Sequence, residues 1–125
     1  MKTELDKELS RDVRSAQFHL DRVKDINLKS PSVNISKTVS RQVAHHRNTV
    51  DEMVNKRLKE LSIQSDHLDL LQRLTPDTYW VLNIDNKDQL DQIIKDRKTT
   101  ISLYKRKLKA MNTRLAVLRS YARKF

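Results

Sequence analysis

From Ile94 to the last residue the chain repeats on a 3-4 spacing. Ile94, Arg97, Ile101, Tyr104, Leu108, Met111, Leu115, Leu118, Ala122 and Phe125 form this series over four heptads, with only Arg97 strongly polar. Such a repeat keeps one face of a slightly under-wound helix turned toward partner helices, so it predicts a coiled-coil or bundle helix. The same stretch holds the excess charge. Residues 95–125 carry eleven Lys/Arg and one acidic residue, whereas residues 1–94 carry fifteen of each sign.

The rest of the chain matches a helical partner set. There is no Gly, and the only prolines are Pro31 and Pro76. Sharp turns, bulges and phosphate-cradling loops normally recruit Gly, so its absence favours long regular elements. Charged residues make up 34% and aromatics 5%, which suits solvated helices better than a sandwich or barrel. A first helix is expected over about residues 4–27, capped by Thr3, with the seam Leu9, Val13, Ala16, Leu20 and Val23 and with Leu5 and Phe18 on its flanks. The segment Leu28–Asn34 breaks the rhythm: Pro31 disfavours a helical Ser30, and Ser30, Ser32, Asn34 and Ser36 are candidate caps. A second helix follows over about 37–74, with the seam Val39, Val43, His46, Val50, Met53, Arg57, Leu61, Gln64, Leu68 and Leu71.

Thr75 and Pro76 open a short helical turn through Leu82. Asp85 or Asn86 then caps a third helix over about 86–124, with Asp88, Asp91 and Asp96 near its N-terminus and Arg119, Arg123 and Lys124 near its C-terminus, as the helix dipole favours. The expected fold is all-α: one domain over residues 1–125, an elongated antiparallel three-helix bundle with two long helices and a shorter N-terminal one.

With Ile101 at heptad position a and Tyr104 at d, two further rows appear on the third helix. The c and g positions read Leu103, Lys107, Ala110, Arg114, Val117 and Tyr121, a half-apolar row expected to pack inward. The b and e positions form a stripe expected to face solvent, with the cations Lys95, Lys98, Lys105, Lys109, Arg119 and Arg123 and no carboxylate. Like charges at i,i+4 destabilise a helix, so a stripe without acidic partners points to a polyanion that offsets the repulsion. Nucleic acid, DNA or RNA, is the expected partner, each stripe cation contacting phosphate. Neither a stacking platform nor a base-reading motif is visible, so binding is expected to follow charge and shape.

A protein partner or a second copy is the alternative. The chain would then be a coiled-coil adaptor, scaffold or chaperone whose stripe meets an acidic protein surface. Tyr79, Trp80, Tyr121 and Phe125 are the candidate partner-binding residues, since aromatics dominate interface hot spots. Tyr79 and Trp80 could equally plug the end of the bundle, and Phe125 could complete the seam.

Catalysis is not expected, and neither is a cofactor, a metal or a small-molecule substrate. There is no Cys. His45 and His46 diverge by about 100° on a helix, while His19 and His67 stand elsewhere in the chain. His46, on the seam, is expected to be a core or hydrogen-bonded histidine. Asp85-Asn86-Lys87-Asp88 lacks the Gly and terminal Glu of a calcium loop, and Asp66 and Asp69 near His67 have no nucleophile to serve. No transmembrane run exists, and an intracellular location (cytoplasm, nucleoid or nucleus) is the expectation.

Overall fold

The structure, a computed structural model, describes residues 3–29 and 37–125. It comprises α1 (Glu4–Lys29), α2 (Lys37–Arg73) and α3 (Lys87–Lys124), with a 3-10 helix over Pro76–Leu82 between the last two. No strand occurs among the described residues. This is an all-α helical bundle. α1 extends two residues past the expected Asn27, through Leu28 and Lys29. The rest of the expected break, with Pro31 and its candidate caps, lies outside the described residues.

Local chemistry sets the ends. The Thr3 hydroxyl accepts from the Asp6 N–H at 3.1 Å, and the Asn86 side chain accepts from the Gln89 N–H at 2.8 Å. The Gln89 side chain returns the bond, accepting from the Asp85 N–H at 2.6 Å. These contacts satisfy amide donors that the first helical turn leaves open. Pro76 sits in the first turn of the 3-10 helix, where its missing N–H costs nothing. That helix stops at Asn83, whose φ of 55° is left-handed. With no Gly available, Asn is the residue that best tolerates this conformation.

α2 and α3 form an antiparallel hairpin: Ser40 reaches Phe125, Asp51 reaches Arg119, Glu60 reaches Tyr104 and Gln64 reaches Arg97. α1 runs antiparallel to α2 and parallel to α3, since Asp12 meets Arg57, Asp6 meets Lys107 and Gln17 meets Arg114. Its 26 residues span roughly 39 Å, against roughly 57 Å for α3. α1 therefore covers the hairpin only from its open end to about Glu60 and Tyr104. Beyond that, two helices stand alone.

The main core lies in the three-helix half. Leu9, Ala16, Leu20 and Val23 of α1 meet Val43, Val50 and Val54 of α2 and Tyr104, Leu108, Met111, Leu115 and Leu118 of α3. A second, smaller cluster of Leu71, Ile84 and Leu90 closes the hairpin end, with Leu74, Tyr79, Leu82, Ile93 and Ile94 packed against it.

A polar layer marks where α1 runs out. Arg57 is 7% exposed on the α2 seam. Its guanidinium bonds Asp12 of α1 at 2.5 Å and Glu60 at 2.8 Å, with Glu8 of α1 at 3.8 Å. The Tyr104 hydroxyl donates to the same Glu60 at 2.9 Å. Burial opposes the Arg57 charge, but the bonds to Asp12 and Glu60 outweigh it and strengthen the guanidinium's hold on its proton. Burial likewise works against the Glu60 carboxylate, yet the donors Arg57 and Tyr104 keep it below its usual pKa. Burial and the Glu60 acceptor push the Tyr104 phenol up to about 12. One step toward the hairpin end, Arg97 donates across the seam to Gln64. Its Nε is buried without a partner.

Candidate nucleic-acid interface

The heptad geometry sorts the cations of α3 by what they touch. On the c/g row, Lys107 and Arg114 turn toward α1: Lys107 meets Asp6 at 3.6 Å, and Arg114 donates to Gln17 at 2.9 Å and to the Ala110 carbonyl at 2.9 Å. Leu103 and Tyr121 on the same row pack against the main core. These side chains hold α1 in place.

The b/e stripe lies on the other side, and all six of its cations are exposed. Lys95, Lys98, Lys105, Lys109 and Arg123 make no ion pair among the described residues. Arg119 differs. It reaches Asp51 of α2 at 2.7 Å, so it helps fix the hairpin while staying about half exposed. From Lys95 to Arg123 the stripe runs roughly 42 Å. Its cations fall in three pairs, Lys95/Lys98, Lys105/Lys109 and Arg119/Arg123. The stripe changes sign at its start, because the b and e positions one and two turns earlier are Asp91 and Asp88.

Neither family models, nor characterised proteins, nor solved structures match this chain.

One cation of the surface belongs to α2 and escaped sequence reasoning. Arg47 lines a cleft of about 210 Å³ with Arg119, Ala122 and Arg123. Asp51 serves two of these guanidiniums, at 3.9 Å from Arg47 and 2.7 Å from Arg119, and the Arg47 Nε is buried without an acceptor. Three cations meet there, and Asp51 pairs with only two of them. An anion in the cleft can pair with Arg123, which is exposed and meets no carboxylate among the described residues. No heptad rule on α3 could have found Arg47; the hairpin register brings it there.

The four aromatics singled out in the sequence separate. Tyr79 packs into the hairpin-end cluster, and Tyr121 and Phe125 pack against the main core. The Phe125 carbonyl also accepts from the Ser40 hydroxyl at 2.7 Å. Phe125 thus completes the seam, as its heptad position suggests. Trp80 is 75% exposed, so it does not plug the bundle. Of the two, only Tyr79 packs inward.

The histidines hold a contact that spacing did not reveal. His19 of α1 and His46 of α2 meet through their Nδ1 atoms at 2.8 Å, so one must donate and the other accept. Burial and then His45 hold His19 below the ordinary imidazole pKa; burial, His19, His45 and Arg22 do the same to His46. The expected hydrogen-bonded role of His46 is realised with a partner 27 residues away. No group of three or more His, Asp or Glu able to hold a metal occurs among the described residues. No described helix is long and apolar enough to cross a membrane.

Proposed function

We propose that this chain is a non-enzymatic accessory or assembly protein that binds nucleic acid along the b/e stripe of α3. One observation carries the reading: cations of one helix divide by face. Lys107 and Arg114 on the c/g row are engaged by α1, while five of the six on the stripe stand in solvent without a carboxylate. A stripe kept free of counter-charge repels itself, and a phosphate backbone relieves that repulsion. The length suits the ligand, since roughly 42 Å corresponds to about 12 base-pair steps at 3.4 Å each. Arg47, Arg119 and Arg123 offer the best single phosphate seat, because three guanidiniums line one cleft and guanidiniums bond phosphate in a fork.

Sequence readout is not part of the proposal. Tyr104 is tied into the Glu60 network and Tyr121 leans on the core, so the stripe presents no aromatic for a base to stack on. Binding then depends on charge and shape, without preference among sequences.

The test is binding of random-sequence oligonucleotides, single- and double-stranded, across a salt series. If all six cations meet phosphates, log affinity falls against log salt with a slope of about −4 to −5. Changing the six to Gln abolishes binding, and each single change lowers the slope by about 1. Changing Arg11, Arg14 and Lys24 of α1 to Gln leaves binding unaltered. Absence of binding by the wild-type chain at low salt rules the reading out.

A further inference from the structure

The two ends of the molecule carry complementary surfaces. Residues 64–94, which form the hairpin end, hold six Asp against Arg73 and Lys87, while residues 95–124 hold eleven cations and one Asp. The acidic end also presents apolar side chains to water: Trp80 at 75% exposure, Val81 at 49% and Leu70 at 46%. Asp77 stands one turn from Trp80 on the 3-10 helix, and Asp85 and Asp88 follow in the link and at the start of α3. In the three-helix half, α2 and α3 leave a shallow groove of about 500 Å³. Leu58, Leu61 and Leu108 line it, and Lys105 and Lys109 flank it.

We infer that the hairpin end of one molecule docks into this groove on a second copy, Trp80 entering against Leu58 and Leu61 while the end's aspartates meet Lys105 and Lys109. Charge selects this pairing. Two acidic hairpin ends repel each other, whereas an end and a groove attract. Length excludes docking within one chain, because Leu108 lies roughly 30 Å along α3 from Lys87. An exposed Trp beside carboxylates needs a pocket with an apolar floor and a cationic rim, the arrangement expected of an interface anchor. The contact is heterologous, so each copy keeps a free end and a free groove. It does not depend on nucleic-acid binding.

Sedimentation of the full chain at low salt tests this, with Trp80→Ser and Leu58→Glu as variants. Both side chains are substantially exposed, and circular dichroism checks that both variants stay helical. The wild type associates as concentration rises toward about 1 mM, and added salt weakens the association. Emission from Trp80, the only tryptophan, shifts to shorter wavelength as association proceeds. Each variant alone stays monomeric, yet an equimolar mixture forms a one-to-one dimer and nothing larger, since one intact end meets one intact groove. A wild type that remains monomeric overturns the inference. So does association that survives both substitutions, or a mixture of variants that fails to pair.

Discussion

The three-helix half and the hairpin end are built from the same two helices, but only one half has α1 against it. Where α1 lies, twelve buried residues interlock and the flanking cations find partners in Asp6 and Gln17. At the hairpin end the buried cluster is only three residues, and Ile63, Leu70, Val81 and Trp80 face water. The boundary is the layer of Arg57, Asp12, Glu60 and Tyr104. A charged layer contributes little net stability against an apolar one, but it penalises wrong register, because a slipped helix leaves a buried guanidinium unpaired. α1 supplies two of the four carboxylate contacts around that layer, Asp12 and Glu8. We read the layer as the feature that fixes the register of α1 against the hairpin.

Breaking the layer gives the largest expected effect. Arg57→Ala leaves Asp12 and Glu60 facing each other in a partly buried site and costs about 3–5 kcal/mol in urea unfolding. Met111→Ala, in the fully buried core of the same half, costs about 2–5 kcal/mol by cavity formation. The opposite sign is expected near the hairpin end. Replacing Arg97 and Gln64 together by Leu exchanges a polar seam pair, with its orphaned Nε, for apolar contact and raises stability by about 1–2 kcal/mol.

A smaller effect separates the halves by pH. His19 and His46 bind protons less readily folded than unfolded, so their contribution is present above the ordinary value of 6.5 and is lost as pH falls below it. Thermal unfolding between pH 7.5 and 5.5 shows the drop, and His46→Asn flattens it. Two charged imidazoles cannot share the Nδ1 contact, so amide protection relative to the intrinsic exchange rate falls first in α1, opposite His46. The smallest effect belongs to Trp80→Ser, which changes monomer stability by no more than about 0.5 kcal/mol because the side chain is mostly in water.

Heptad spacing made the helices and most of their inward rows readable, although Val117 of the c/g row is exposed, and caps such as Thr3 and Asn86 placed their ends to within a residue or two. Those features are local: a side chain's face follows from its position along one helix. Register between helices is not local. That Arg57 meets Asp12, that His19 meets His46 and that Arg47 joins Arg119 all depend on how far one helix slides along another. No single-helix pattern encodes that slide. The stripe was legible for the same reason its cations are exposed, since it was defined as the row left over when the seam turns inward. Arg119 faces solvent as expected, but its pairing with Asp51 is not legible from α3 because Asp51 lies on another helix. Trp80 was hard to place because a 3-10 turn has no long periodicity to say which of Tyr79 and Trp80 points in.

The most direct test of the division by face is lysine reactivity. Limited acetylation of the dilute chain, with and without an oligonucleotide, is read residue by residue by mass spectrometry. The account predicts that Lys95, Lys98, Lys105 and Lys109 become protected while Lys7, Lys24 and Lys87 react as before. Equal protection of all lysines, or protection confined to α1, would contradict it.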